Sequence, residues 1–460
     1  MHSLSERAGE IADKITDASN IHIVTHIDAD GITAGSIASE TLKRLKKKYT
    51  LECVKQLDEQ ILTRLNNEKH ELVWFTDLGS SIILDNPKLN MIVTDHHSCS
   101  KKTNVSFHLN PHLFDIDGTY EISGAGTTYL VSKAVDGKNM DLSALAIVGA
   151  VGDIQDKNYG KLTGLNRKLL NDGKQAKVLQ TKIDIRYFGR ETRPISKLLQ
   201  FASDPIIPGL SGRENACTSF LKELDIRLKT GDSWRTWSDL EKEERKIIIS
   251  AIAQKLLNAG FGYKLTQRLI GEVYILSAEQ RNTELRDAKE YATLLNSTAR
   301  YGQYEVGLKV CLGDRDEYFK KALNLLRGHR HNLVEGLQVA REENIHRRKH
   351  LQYFHAKDGI RDTIVGIVTN MLLNSEDVDS SLPLIGFAHT EKGDVKVSAR
   401  GTQELIDRGL DLSKALRNTV KEFNGVGGGH KIAAGATIPM GKEEEFLDLL
   451  EEEIGDQLPV

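Results

Sequence analysis

Four short segments in the first third of the chain each place carboxylates or imidazoles at the end of an apolar run. They are His26-Ile27-Asp28-Ala29-Asp30-Gly31, Trp74-Phe75-Thr76-Asp77-Leu78-Gly79, Val93-Thr94-Asp95-His96-His97 and Gly149-Ala150-Val151-Gly152-Asp153. Acidic side chains are rarely buried unless paired or metal-bound, so four such clusters at strand and helix ends point to a metal site. His26, Asp28 and Asp30 alternate along the chain, and an extended backbone would aim all three the same way. Carboxylate and imidazole donors without thiolate suit Mn²⁺ or Mg²⁺ better than structural zinc. The donors oversupply one ion, which makes a pair about 3.5 to 4 Å apart the economical arrangement, with Asp77 as the bridge. Such a pair serves phosphate-ester hydrolysis: it acidifies a water, aligns it with phosphorus and neutralises charge on the leaving oxygen, so no nucleophilic side chain is needed. Any one segment alone reads as easily as a capped strand end or a salt-bridged turn; the four together carry the inference.

The elements that must position these groups are those of an α/β protein. Ile21 to Thr25, Leu51 to Val54, Leu72 to Thr76 and Met91 to Thr94 read as strands of a mostly parallel sheet, with helices over Ile32 to Lys48 and Leu142 to Val151. Lys43, Arg44, Lys46, Lys47 and Lys48 suit a helix C-terminus. The acidic and His residues fall where strands finish, which is where open α/β sheets bind ligands. From Arg186 to Lys349 charged helical patterns dominate, predicting a mostly helical insertion with Trp234 and Trp237 in its core. Beyond it the α/β signal returns, with strands over Leu351 to His355, Leu384 to Ala388 and Val395 to Ala399 and helices over Arg361 to Leu373 and Leu412 to Phe423. The reading is three domains, 1–185, 186–349 and 350–460, the last a smaller α/β domain.

Composition narrows the class. A chain of 460 residues with net charge -3 can bury more than one core and shows no global basic excess, so any polyanion must be held locally or by metal. Cys53, Cys99, Cys217 and Cys311 are far apart, which excludes a zinc ribbon and fits reduced thiols in a cytoplasm. No segment reads as a secretory signal or a membrane span, so no membrane partner is expected.

Three further motifs compete with plainer explanations. Gly427, Gly428 and Gly429 before His430 would let backbone N–H groups approach an anion, although a glycine run is equally a flexible turn. Ser123-Gly124-Ala125-Gly126-Thr127-Thr128 has Tyr129 where a dinucleotide loop needs its third glycine, and reads as a tight helix start; no organic cofactor is expected. His329, His331, His346 and His350 form a basic stretch, with His346 and His350 spaced for one face of a solvated helix joining two domains.

The four acidic segments resemble the motifs of the DHH phosphoesterase superfamily, whose name describes a triplet matching Asp95-His96-His97. His26 to Gly31 looks like its first motif, Asp77 its second and Asp153 its fourth. The resemblance implies that His26, Asp28 and Asp77 hold one ion, that Asp30, Asp77, His96 and Asp153 hold the other, and that His97 faces the scissile phosphate. Asn424 to His430 is similar to the signature of the DHHA1 domain, which accompanies DHH domains and binds the substrate's nucleotide; Ser398-Ala399-Arg400 looks like that domain's phosphate-binding strand. On that likeness Arg400, Gly427, Gly428, Gly429 and His430 contact substrate.

Over its whole length the chain resembles the archaeal RecJ-like proteins, a group of GINS-associated nucleases, notably at Ile147 to Asp153, Arg186 to Pro194, Tyr291 to Asn296 and Ile360 to Thr363. That implies a two-metal exonuclease on single-stranded nucleic acid, 5′ to 3′ on DNA, which docks to the GINS replication complex through the insertion. Two alternatives remain open: a phosphodiesterase for RNA or short oligonucleotides, and a scaffold within the replicative GINS/MCM helicase complex. The insertion argues against the small-substrate alternative, and the complete ligand set argues against a scaffold alone.

Overall fold

The apolar runs of the first third form strands because both of their faces are covered, the situation of a parallel sheet flanked by helices. The computed structural model describes residues 3–80, 89–99, 107–373, 375, 378–423 and 425–458. Strands β1 (Asn20–His26), β2 (Lys48–Val54), β3 (Leu72–Thr76), β4 (Met91–Thr94) and β5 (His108–Leu109) lie in the order β2-β1-β3-β4-β5, every neighbouring pair parallel. Around them stand α1 (Leu4–Asp17), α2 (Ala29–Arg44), α3 (Glu59–Glu68), α4 (Gly124–Val135), α5 (Ser143–Gly152) and α6 (Asn166–Gln175). Alternate strand residues feed opposite cores: Ile21, Ile23, Trp74 and Ile92 join Ile11 and Ile15 of α1, whereas Val24, Val73, Phe75 and Val93 join Leu62 and Leu65 of α3. The helix expected over residues 32–48 is shifted. It begins at Ala29 and stops at Arg44, because Lys46 adopts left-handed backbone (φ 57°) and Lys48 already opens β2.

The inserted segment has a core of its own. β6 (Leu179–Ile185) leads into α7 (Ile195–Gln200), α8 (Glu214–Glu223), the hairpin β7 (Lys229–Thr230) and β8 (Ser233–Trp234), α9 (Lys242–Asn258) and α10 (Tyr263–Gln267). β9 (Ile270–Leu276) then returns antiparallel beside β6. Leu198, Leu221, Trp237, Ile248 and Ile252 are fully buried there. Trp234, expected in that core, is instead 52% exposed on its hairpin, where the Lys229 ammonium lies 4.6 Å above its ring. Two residues of turn cannot fold a hairpin back over its own indole, and the cation takes the ring face. Farther on, α11 (Ala288–Arg300) and α12 (Tyr304–Cys311) pack with α2 and α5 in the core that also holds Ile32, Ile147 and Leu295. α13 (Glu317–Glu342) follows.

Glu290, in the first turn of α11, is fully buried and accepts the Glu191 N–H at 2.7 Å and the Thr192 hydroxyl. Burial first, and then the charge of Asp287, push its carboxyl up to about 8. A folded-state pKa raised above the unfolded value means that this residue's contribution to stability is complete below the ordinary Glu range and is lost as pH climbs through about 8. Glu290→Gln is therefore expected to flatten the fall in unfolding midpoint between acidic and mildly alkaline buffer. Urea unfolding across that window checks it, and an unaltered slope rejects it.

The chain divides into two compact units, Met1–Leu326 and Arg327–Val460. The second is built on a six-stranded sheet of order β10-β11-β12-β13-β15-β14: β10 (His346–Arg347), β11 (Gln352–His355), β12 (Leu384–His389), β13 (Asp394–Arg400), β14 (Val426–Gly429) and β15 (Ala433–Pro439). Its helices are α14 (Asp362–Leu373), α15 (Gln403–Asp407), α16 (Leu412–Lys421) and α17 (Glu443–Gln457). Ile385, Phe387, Val395 and Val397 meet Leu412, Leu416, Phe446 and Leu450 from α16 and α17. The histidine-rich stretch is not one helix. Asn344 in left-handed backbone (φ 61°) follows the end of α13, so His346 lies in β10 and stacks on Tyr353 at 5.2 Å. Among the described residues no helix is long and apolar enough to cross a membrane.

Candidate metal centre

β1 stops at His26 and the chain turns at once into α2, with Asp28 as N-cap accepting from Gly31 N–H at 3.0 Å and Asp30 in the first turn. The expected extended run through His26, Asp28 and Asp30 is thus replaced by a strand tip and a helix start, because a capping carboxylate satisfies the free N–H groups of a helix better than a strand can. Asp77 follows β3 in left-handed backbone (φ 59°), its N–H donating to Thr94 C=O at 2.8 Å. Asp153 caps the C-terminus of α5. Beyond β4, Asp95 accepts from Ser80 N–H at 2.9 Å, His96 N–H at 2.8 Å and His97 Nδ1 at 2.8 Å, an anchor that fixes the His97 imidazole and the backbone of His96.

These groups converge. His26 Nδ1 lies 2.9 Å from Asp28 Oδ2 and 3.7 Å from Asp77 Oδ2. His96 Nε2 lies 3.1 Å from Asp153 Oδ2, 3.4 Å from Asp77 Oδ1 and 3.7 Å from Asp30 Oδ2, and His97 Nδ1 is 4.0 Å from Asp77 Oδ1. Three clusters compact enough for a metal ion result: His26/Asp28/Asp77, Asp30/His96/Asp153 and Asp77/His96/His97. Asp77 reaches both the His26 side and the His96 side.

The electrostatics ask for a cation. Burial, then the charges of Asp77 and Asp153, drive the Asp30 carboxyl well above its ordinary value. Burial would raise Asp77 too, yet the imidazoles of His26 and His96 hold it well below the carboxylate range. Burial opposes charge on His26 and His96, but their carboxylate neighbours outweigh it and raise both. Close as these contacts are, they are poorly directed: His26 Nδ1, Asp77 Oδ1 and His96 Nε2 are buried without a partner in hydrogen-bond geometry. Orphaned donor atoms aimed into a buried ring of carboxylates are what a divalent ion would satisfy, so the residues fit the group. Backbone leaves the room: a Cβ on Gly124 would overlap the Asp77 carboxylate, and one on Gly149 the Asp30 carboxylate.

Supporting groups come from farther along the chain. Asp30 accepts the N–H of Gly124 at 2.6 Å and of Ala125 at 3.0 Å, so the Ser123 to Thr128 segment is a helix start whose free amides bind an internal carboxylate. His96 Nδ1 donates to Gly118 C=O at 2.7 Å, which orients the ring so that Nε2 faces the carboxylates and is the atom an ion would take. Gln155 donates to the same carbonyl at 2.9 Å and is itself held by Asn166 at 2.8 Å. Asn110 ties Ser80 to the His97 carbonyl, Asn296 Oδ1 accepts the Ala29 N–H at 3.0 Å, and the Asp28 carboxylate favours the charge of Arg300 against the burial that lowers its pKa. Sequence reasoning singled out the Ser123 to Thr128 segment as a helix start and Asn296 as the end of the Tyr291 to Asn296 stretch, and missed Asn110, Gly118, Gln155, Asn166 and Arg300.

In the second unit Arg400 ends β13 and donates to Ala399 C=O at 2.8 Å. Gly366 of α14 leaves its guanidinium room, since a Cβ there would meet Arg400 Nη2. Gly427, Gly428 and Gly429 form the edge strand β14 and pair with Ala436, Gly435 and Ala434 of β15, so the run is a strand and not a loose turn. Arg400 pairs with Ala433 on the other side of β15, and exposed His430 follows β14. Asn424, the first residue of the signature, lies outside the described residues.

Residues 187–270 match the DHH-CID domain family and residues 349–456 the DHHA1 domain family. An uncharacterised protein of Methanocaldococcus jannaschii is 32% identical over 447 residues, covering 95% of this chain and 94% of that protein. Among solved structures, RecJ of Thermus thermophilus in complex with Mn²⁺ superposes with a TM-score of 0.59 at 18% identity over 98% of this chain; the chain spans only 55% of that RecJ. CDC45 of Entamoeba histolytica superposes with a TM-score of 0.67 at 13% identity, covering 98% of both chains. The chain belongs to the DHH/DHHA1 superfamily.

Proposed function

We propose that the chain is a metal-dependent exonuclease that hydrolyses phosphodiester bonds of single-stranded nucleic acid, working 5′ to 3′ on DNA and releasing nucleotides during DNA replication or repair. The observation that supports it most is the convergence of His26, Asp28, Asp30, Asp77, His96 and Asp153 around orphaned donor atoms. In this reading His26, Asp28 and Asp77 hold one Mn²⁺ or Mg²⁺, and Asp30, Asp77, His96 and Asp153 hold a second. Bound there, the ions supply Lewis acidity toward a water and toward the phosphodiester. The protein's own part is placement. Asp95 and Gly118 hold the rings of His97 and His96 in place. Burial disfavours charge on His97, but Asp95 outweighs it and raises that imidazole to about 9, so it keeps a proton to donate to a phosphate oxygen.

The same proposal gives residues 1–185 the hydrolytic chemistry, residues 186–349 the docking of a GINS complex, and residues 350–460 the substrate contacts Arg400, Gly427, Gly428, Gly429 and His430. Arg400→Ala or His430→Ala is expected to raise KM about tenfold, as loss of a charge-assisted phosphate contact does, while metal occupancy stays unchanged. Steady-state kinetics on labelled oligonucleotide checks it, and unaltered KM and kcat would remove both residues from the site. The test of the whole proposal is single-stranded DNA and RNA, labelled at either end, incubated with Mn²⁺ or Mg²⁺. A labelled mononucleotide as the first product from 5′-labelled DNA supports the proposal. Exclusive RNA cleavage, first release from the 3′ end, or no hydrolysis overturns it.

A further inference from the structure

A second cluster of ligating side chains stands in the Arg327–Val460 unit, with no part in the site already described. His355 ends β11, His389 ends β12 and Glu443 lies in the first turn of α17, all three half-buried. One nitrogen of each imidazole and one carboxylate oxygen lie within 4.8 Å of one another. His355 Nε2 is 3.4 Å from Glu443 Oε1, and the two rings meet edge to face at 5.3 Å.

The surroundings of His389 are those of a metal-binding imidazole. His389 Nδ1 is 3.1 Å from Asp358 Oδ1, so a donated Nδ1–H fixes the tautomer and leaves a lone pair on Nε2. Separate ion pairs would account for each contact; the closeness of one atom from each of the three side chains, all within 4.8 Å, is what a shared ion would use. Coordination through His355 Nε2 shifts the remaining ring proton to Nδ1 and gives up the bond that Nδ1 accepts from Lys357 N–H at 3.0 Å. Lys357 is exposed, so water replaces that bond.

We propose that His355, His389 and Glu443 form a binding site for a Zn²⁺-class ion that clamps the first turn of α17 to the ends of β11 and β12. Two imidazoles and one carboxylate with an open position are a zinc-type donor set, softer than the carboxylate-rich centre of the first unit. The site therefore does not depend on the nuclease reading.

The experiment is equilibrium dialysis of the full chain against Zn²⁺, followed by metal analysis and by the visible spectrum of the Co²⁺-loaded protein. Wild type is expected to hold one Zn²⁺ more than either His389→Ala or Glu443→Gln, and to show a Co²⁺ band that both variants lose. Mn²⁺-supported hydrolysis stays at the wild-type level in both. Asp358→Asn weakens Zn²⁺ binding by about tenfold to a hundredfold, the usual cost of an outer carboxylate. Glu443→Gln keeps the size of the side chain and serves if His389→Ala does not fold. Equal Zn²⁺ content and the same Co²⁺ spectrum in wild type and variants would overturn the proposal.

Discussion

Asp77→Ala is expected to lower hydrolysis on the order of a thousandfold or more, since several kcal/mol of transition-state stabilisation depend on the shared ion ligand. Asp77 stands 3.7 Å from the His26 imidazole on one side and 3.4 Å from His96 on the other, and no other carboxylate among the described residues touches both. The fold should survive. With Asp77 gone His26 and His96 lose part of the field that keeps them charged, and neutral imidazoles are tolerable in that cavity. Circular dichroism, Mn²⁺ stoichiometry and single-turnover cleavage of labelled single strands together check it. Near-normal cleavage by a folded variant rejects the bridging role.

Arg190→Ala is expected to be the most destabilising single change, costing about 3–5 kcal/mol, the range for removing one partner of a buried ion pair. Its guanidinium is 3% exposed and donates to Asp184 Oδ2 and to Asp287 Oδ2, each at 2.8 Å. Asp184 also accepts from Trp237 Nε1 at 2.9 Å, and Asp287 caps α11. Deleting the cation leaves two facing buried carboxylates and unseats both the indole of the inserted core and the start of the helix that carries Asn296. Denaturant unfolding measures it; a loss below about 1 kcal/mol would show the triad to be solvated, as surface pairs are. Some of the reduced hydrolysis in this variant should return with added Mn²⁺, because binding to the folded form offsets lost stability.

Much of the first sheet was legible because its strands are buried on both faces: Leu72–Thr76 and Met91–Thr94 begin and end where the apolar runs do. β9 was not, since Ile270-Gly271-Glu272 opens it with an exposed and half-buried pattern that signals nothing until β6 lies beside it. The acidic and His residues were visible from type and spacing, but the HxDxD spacing that suggests a strand equally suits a strand tip followed by a capped helix, and capping won. Gln155, Asn166 and Asn110 act by hydrogen bonds to other residues' backbone or amides, and no local pattern marks such partners. Trp234 and Trp237 show the same limit: equal apolarity, three positions apart, one in the core and one on a hairpin.

The absence of side chains at Gly124 and Gly149 has a consequence for ion choice. Where a rotamer could swing aside, main chain cannot, so the chamber around Asp30 and Asp77 has fixed dimensions on those two sides. Calcium prefers oxygens at about 2.3–2.6 Å and a larger shell, magnesium about 2.0–2.1 Å. For an ion held there as proposed, such a wall would make ionic radius a ground for selection without any residue dedicated to the purpose.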